Sequence, residues 1–244
     1  MQLRFLGSGD AFGSGGRFNT CIHVEAGGSS FLIDCGASSL IAMRRFGIAP
    51  NAIRTIFVSH LHGDHFGGLP FVILDAQLVS RRAGPLTIAG PPGLKARLGQ
   101  AMEVLFPGSS RVAPRFTLEI VELVPGTRVM LNGVAVTPYE VSHPSGAPPL
   151  ALRLEAGGKV VSYSGDTEWT ESLVPAAVGA DLFIAEAYFF EKPVKFHLTY
   201  RSLLDHLGEL KPKRIILTHM SADMLARVGE LAHEAAEDGL VVEL

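Results

Sequence analysis

Within the stretch VSHLHGDHFGGLP, Val58 to Pro70, the six positions from His60 to His65 hold His60, His62, Asp64 and His65. Imidazole nitrogen and carboxylate oxygen are the ligand types that a divalent ion such as zinc accepts. Without an ion, four such groups would crowd polarity and charge against the apolar run Thr55–Val58, which is costly unless partners are supplied. Four groups from one loop cannot all reach a single ion in good geometry. Two neighbouring ions could share them, provided that later segments add ligands. Three residues meet that need, each at the end of an apolar run: His143 after Val134–Val141, Asp166 after Val160–Tyr163, and His219 after Ile215–Thr218. Singly, each reads as a turn or capping residue. Together they share the place, the end of a strand, where α/β folds put their chemistry. That chemistry is metal-assisted hydrolysis: paired cations lower the pKa of a bound water and neutralise charge on an attacked carbonyl or phosphoryl oxygen. Asp64 is a candidate to orient the nucleophile or take its proton.

Short runs rich in β-branched residues and bounded by Gly, Asn and Pro predict the strands that would position these groups. They are Leu3–Leu6, Cys21–Val24, Phe31–Ile33, Thr55–Val58, Leu86–Ala89, Val129–Tyr139, Leu150–Leu154, Val160–Tyr163, Leu182–Ala185 and Ile215–Leu217. Helical periodicity marks Ala37–Phe46, Pro70–Val79, Leu94–Phe106, Thr199–Leu210 and Met224–Ala236. Proline suits the first turn of the second of these, Thr199 is a candidate N-cap, and Gly208 weakens the far end of its helix. Strands come consecutively at first and then alternate with helices, which predicts a layered α/β domain with an antiparallel or mixed sheet arrangement.

Composition narrows the alternatives. Hydrophobic residues make up 47% of the 244 residues and charged residues 18%, enough apolar material for a sizeable core and against disorder. No linker-like stretch divides the chain, so residues 1–244 read as one domain. The net charge of −3 lacks the basic footprint of a nucleic-acid binder. Arg81-Arg82 and Arg111/Arg115 read as solvated surface. Cys21 and Cys35 form no metal knuckle or disulfide framework and read as buried free thiols. No signal peptide or membrane-length apolar run is visible, so a soluble cytoplasmic protein is expected. His23, His206 and His233 read as structural, with His233 in a terminal helix. No G-x-S-x-G nucleophile motif occurs.

The order H-x-H-x-D-H, then His143, Asp166 in SGDT and His219 in LTHMS, resembles the metallo-β-lactamase fold superfamily of dinuclear metal hydrolases, over nearly the whole chain from Phe5 to His219. The resemblance implies an α/β fold, a four-layer αβ/βα sandwich of two mixed β-sheets with helices outside and metals at one edge. It implies His60, His62 and His143 around one ion, Asp64, His65 and His219 around the other, and Asp166 between them. Zinc suits that donor set, and manganese or iron could also occupy it. Flavodiiron relatives typically carry Glu where this chain has His62, and they have a flavodoxin domain that it lacks. The segment AEAYFFEKPVKFHLTYRSLLDHL and the opening FLGSGDAFGSGGRFNT resemble the ribonuclease Z branch. There a Glu and the His of an H-x-T motif complete the site. Carried over, Glu186 orients His197, and His197 stabilises the scissile phosphate or protonates the leaving oxygen. One departure matters. The tRNA-processing enzymes usually insert a long basic arm between the motifs around His143 and Asp166, and here those residues are 23 positions apart. The implied activity is therefore that of a phosphodiesterase acting on small or cyclic phosphate diesters. Alternatives are a hydrolase of lactones, thioesters or β-lactams using the same metals, a tRNA 3′-processing endonuclease, or a metal-binding protein with a vestigial site. The partner expected is a small-molecule ester or phosphodiester substrate, with nucleic acid less favoured. The apolar helix Leu69–Val79 is expected to be buried in the core or in a homodimer interface.

Overall fold

Two seven-stranded sheets carry every strand of the structure, a computed structural model that describes residues 1–244. The first runs in chain order through β1 (Gln2–Gly7), β2 (Cys21–Ala26), β3 (Ser29–Ile33), β4 (Thr55–Phe57), β5 (Leu86–Gly90) and β6 (Leu118–Glu122). The second runs through β7 (Val129–Leu131), β8 (Val134–Glu140), β9 (Leu150–Ala156), β10 (Lys159–Tyr163), β11 (Leu182–Glu186), β12 (Ile215–Thr218) and β13 (Glu234–Ala235). The last strand, β14 (Val241–Glu243), crosses back and pairs with β1. Both sheets are mixed: β1–β3 and β7–β10 pair antiparallel, whereas β3–β6 and β10–β13 pair parallel.

Alternation along each strand builds the layers. Leu3, Phe5, Ile22, Val24, Phe31, Ile33 and Phe57 point from the first sheet into a core shared with Val136, Leu152, Val161, Tyr163, Leu182, Ile184 and Ile216 of the second. The intervening residues Leu32, Ile56, Val58 and Ile88 face outward instead. They pack beneath α1 (Ser39–Arg45), α2 (Gly63–Phe66), α3 (Leu69–Leu78) and α4 (Leu94–Leu105). Phe183, Ala185 and Leu217 do the same behind the second sheet, under α5 (Leu173–Ala177), α6 (Tyr200–Asp205), α7 (Leu207–Leu210) and α8 (Ala222–Ala226). Strands buried on both faces read as continuous apolar runs rather than alternating ones. The layer order helix–sheet–sheet–helix is the sandwich that the resemblance implies.

Several elements differ from the expectations. Val129–Tyr139 is two strands joined at Asn132-Gly133, both with positive φ (48° and 85°), the two-residue turn that Asn-Gly favours in hairpins. Thr199 does cap α6, its hydroxyl accepting from Ser202 N at 3.0 Å, but the helix breaks at His206. The helix expected over Met224–Ala236 is absent. The chain makes one turn at α8 and a 3-10 turn at Val228–Glu230, then adds β13 beside β12, so His233 lies in no helix. A parallel partner for β12 and the burial of Ala236 outweigh the local helical pattern. Arg82 is not solvated surface: it is 5% exposed, and its guanidinium donates to the carbonyls of Pro50, Ile53, Gly84 and Pro85. Helix α3 is only half covered, with Val72, Ile73 and Ala76 buried while Leu78 and the adjoining Val79 are exposed. No helix is long and apolar enough to cross a membrane.

Candidate metal centre

The parallel strands of both sheets end at one edge, and the residues singled out in the sequence follow those ends. His60 and His62 lie in the turn after β4, and α2 carries Asp64 and His65. His143 follows β8, Asp166 follows β10, Glu186 is the last residue of β11, and His219 follows β12. Two glycines allow the close approach. At Gly36, a Cβ would lie 2.1 Å from the Asp64 carbonyl oxygen. Gly165, with φ of 61°, turns the chain into Asp166 where a Cβ would meet the Leu150 carbonyl at 2.8 Å.

Two donor sets result. Ligand atoms of His60, His62 and His143 lie within 4.8 Å of one another, and so do those of Asp64, His65, Asp166 and His219. Asp166 lies between the sets: its Oδ1 is 3.3 Å from His65 Nε2, and its Oδ2 is 3.4 Å from His219 Nε2 and 3.8 Å from His60 Nε2. Several contacts make poor sense without a cation. His62 Nδ1 and His143 Nε2 are 3.0 Å apart, and His65 Nε2 and His219 Nε2 are 3.3 Å apart, so ring nitrogens face each other. His60 Nε2 and Asp166 Oδ1 are buried without a hydrogen bond. The imidazole and carboxylate donors fit a divalent ion of the zinc type.

The surrounding hydrogen bonds aim these nitrogens. Ser59 Oγ donates its single proton to Asp34 Oδ2 at 2.8 Å, so it accepts from His60 Nδ1 at 3.1 Å and leaves Nε2 as a free lone pair. His65 Nδ1 donates to Asp34 Oδ2 at 2.7 Å, and His143 Nδ1 donates to the Phe196 carbonyl at 2.9 Å. Such partners fix tautomer and ring orientation in metal sites. Asp34 (φ 58°) and His219 (φ 56°) both hold the left-handed conformation just past a strand, a strained state that clusters at functional sites. Ser8 O accepts from His219 N at 3.2 Å and helps hold that turn.

Electrostatics divide the two sets. Burial, then His65, push the His60 imidazole well below its ordinary pKa, and burial with His143 lowers His62. In the other set burial is outweighed. Asp166, Asp64 and Asp34 hold His65 well above its ordinary value, and Asp166, Asp64 and Glu186 raise His219 to about 10. Burial would raise the Asp64 and Asp166 carboxyls, but His65 and His219 keep both well below the usual carboxylate range.

Glu186 and His197 form a third part of the same edge. Glu186 is fully buried, its Oε1 paired with His197 Nδ1 and its Oε2 accepting from Thr167 N at 2.9 Å and Leu198 N at 3.2 Å. One carboxylate thus ties the H-x-T segment to the turn that carries Asp166. The bond to Glu186, against burial, raises the His197 pKa. A cleft of about 330 Å³ opens over the site, with His62, Asp64, Asp166 and His197 in its wall.

A family model described as anti-Pycsar protein Apyc1 matches residues 1–238. The chain belongs to that family. Within the sequences related to this Apyc1-family chain, ribonuclease Z of Methanothermobacter thermautotrophicus is 31% identical over 270 aligned positions, covering 91% of this chain and 87% of the relative. The alignment is longer than the 244-residue chain, so the relative carries insertions that this chain lacks. The structure of human tRNase Z, short form, matches with a TM-score of 0.81 and 25% identity, covering 100% of this chain and 99% of that one. The metallo-β-lactamase fold protein YhfI of Bacillus subtilis matches with a TM-score of 0.78 and 18% identity over 99% of both chains, a likeness of fold. The Apyc1-family chain therefore has the metallo-β-lactamase fold in its ribonuclease Z-like form.

Sequence reasoning missed three contributors. Asp34 carries no motif signal beyond following an apolar run, and only the left-handed turn brings it to Ser59 and His65. The Phe196 carbonyl is a backbone group, invisible by residue type. Tyr188 stacks on His197 with ring centres 4.7 Å apart. The histidines read as structural lie outside the donor sets: His23 bonds Ser30 at 2.8 Å, His206 stacks on Trp169, and His233 meets the Tyr200 hydroxyl.

Proposed function

We propose that this chain is a metal-dependent phosphodiesterase that hydrolyses small or cyclic phosphate diesters. In this reading His60, His62 and His143 hold one divalent ion and Asp64, His65 and His219 hold the other, with Asp166 shared. Zinc suits the donors, with manganese or iron as substitutes. The observation that carries the reading is the His197–Glu186 pair standing beside the seven convergent donors. A carbonyl hydrolase has less need of a cationic imidazole there than an enzyme that must expel an alkoxide from phosphorus.

When bound, the ions supply an activated water and neutralise charge developing on the phosphoryl oxygens. Asp64, buried and held as a carboxylate, orients the attacking water. Glu186 occupies His197 Nδ1 and so leaves Nε2 as the proton-bearing edge available to the substrate. From there His197 donates to the leaving oxygen as a general acid, and the bond to Glu186 raises its pKa and so favours the proton-bearing form. Tyr188 packs on one face of the ring and limits its rotation. A small substrate is favoured by the cleft volume and by the short connection from His143 to Asp166, which leaves no room for a long basic arm.

The test is initial-rate hydrolysis of an aryl phosphodiester, a lactone and a β-lactam by zinc- or manganese-loaded protein, with His197→Ala assayed beside it. Turnover of the diester, lost in the variant, is the expected result. Turnover of the carbonyl substrates alone overturns the reading. A second reading, a tRNA 3′-processing endonuclease, is favoured by the likeness to human tRNase Z and to ribonuclease Z along the whole chain. Cleavage of a precursor tRNA in the same assay separates it.

A further inference from the structure

The main chain leading into His197 is pinned at one residue. From Glu191 to His197 the backbone makes no hydrogen bond to other backbone except through neighbouring segments' side chains, and every residue from Glu191 to Phe196 except Val194 is exposed. Phe196, at the end of that run, holds a φ of 69°, the left-handed conformation that a bulky residue adopts only under constraint. Its ring joins none of the hydrophobic clusters. What fixes it is polar. Phe196 N donates to Glu168 Oε2 at 3.1 Å, and the Phe196 carbonyl accepts from His143 Nδ1 at 2.9 Å. The other oxygen of Glu168, Oε1, accepts from Ser142 Oγ at 2.8 Å, and Glu168 N donates to the Ser142 carbonyl at 3.2 Å. Ser142 precedes His143, and Phe196 precedes His197. The circuit therefore closes: Glu168 to Ser142, along the chain to His143, across to the Phe196 carbonyl, and back through Phe196 N. Glu168 itself belongs to neither donor set and lies outside the wall of the metal cleft.

We infer that Glu168 is a positioning residue that sets His143 and His197 together through the turn at Phe196. For His197 the inference rests on the phosphodiesterase reading above; for His143 it rests on the donor set alone. With the Phe196 peptide pinned, its carbonyl takes the His143 Nδ1 proton and leaves Nε2 to face His62, while the next residue carries its imidazole to Glu186. Without Glu168, nothing in the exposed segment offsets the strain at Phe196, and the turn relaxes to an ordinary negative φ. That swings the carbonyl away from His143 and shifts the start of the H-x-T segment. Outer partners of this kind tune metal affinity without touching the ion. A misplaced proton donor costs rate more than binding. The clamp needs hydrogen-bonding groups in place and not a negative charge. A glutamine can accept from Phe196 N through its amide oxygen and donate to the Ser142 hydroxyl through its NH2.

The experiment compares wild type, Glu168→Ala, Glu168→Gln and Ser142→Ala as zinc-loaded full chains. Zinc affinity is read by chelator competition, with His143→Ala marking which ion belongs to His60, His62 and His143. The constants kcat and KM are read on an aryl phosphodiester. Glu168→Ala is expected to weaken that ion by about tenfold while the ion of the other set keeps its wild-type affinity. It is also expected to lower kcat by about 10²-fold with KM within about threefold of wild type. Glu168→Gln keeps both bonds and stays within about threefold of wild type in both readouts. Ser142→Ala frees one end of the clamp, gives a smaller loss in the same direction, and carries the test should Glu168→Ala not fold. Equal weakening of both ions, a Glu168→Ala chain that matches wild type in both readouts, or a Glu168→Gln chain as poor as Glu168→Ala overturns the clamp. Wild type that turns over no diester overturns the phosphodiesterase reading instead, and the chelator competition still decides whether Glu168 positions His143.

Discussion

The two donor sets at the sheet edge are neighbours built on opposite principles. His60, His62 and His143 are three imidazoles, and His62 is half open to the cleft. Burial and mutual proximity disfavour charge on His60 and His62, and a serine hydroxyl and a backbone carbonyl aim two of the three rings. Asp64, His65, Asp166 and His219 are all buried, and their charges answer one another. This second set has a further buried acid on each side, Asp34 against His65 and Glu186 near His219. The difference teaches where each set gets its order. The first is a set of imidazole donors oriented toward one another and shaped to receive a cation. The second is a charge network that coheres by itself and suffers when one member is removed.

Asp166, shared between the sets, gives the largest expected effect. Asp166→Ala should destabilise the metal-free protein by roughly 3–5 kcal/mol, because it leaves buried histidines without their partner, and should abolish retention of both ions. His143→Ala should cost the metal-free protein about 1 kcal/mol or less and remove only the ion of the first set. Urea unfolding and metal analysis check both, and equal destabilisation by the two variants would break the contrast. Next comes His197→Ala, which should keep the full metal content yet lower diester turnover about 10²- to 10⁴-fold. Loss of metal in that variant would move His197 from proton donor to structural support. Asp34→Asn should weaken the second ion by about 10- to 100-fold and the first by less, because Asp34 bonds His65 directly and reaches His60 only through Ser59, as read by chelator competition. Parallel weakening of both ions would mean that Asp34 supports the whole edge and not one set. The smallest effect belongs to the cysteines behind the first sheet. Burial pushes the Cys21 thiol up to about 12 and holds Cys35 well above its ordinary value, so a thiol reagent should label neither until the protein is unfolded.

The cluster from His60 to His65 could be read directly because its groups are adjacent in the chain, and adjacency of that kind is improbable without an ion. His143, Asp166 and His219 were legible as polar residues that end apolar runs. Asp34 ends such a run as well, but its neighbour Cys35 and a lone carboxylate made no pattern. The helix expected over Met224–Ala236 failed for a different reason. Its apolar spacing is real, but Met224 and Leu225 pack from α8 into the cluster behind the second sheet, while Ala235 sits in the short strand beside β12. Arg82 misled because charge implies solvent until a pocket of four carbonyls is there to take its place.

What the sequence determined by itself was chemistry and layering. Residue types fix which groups can ligate, and the two-residue and three-to-four-residue periods fix which faces must be covered. What only the tertiary structure decided was pairing: which ring nitrogens face one another, that Asp34 reaches His65 across 31 positions, and that the Phe196 carbonyl meets His143. Each depends on left-handed turns and on strands meeting from opposite sheets. Those are properties of contacts between distant segments, and no local spacing encodes them.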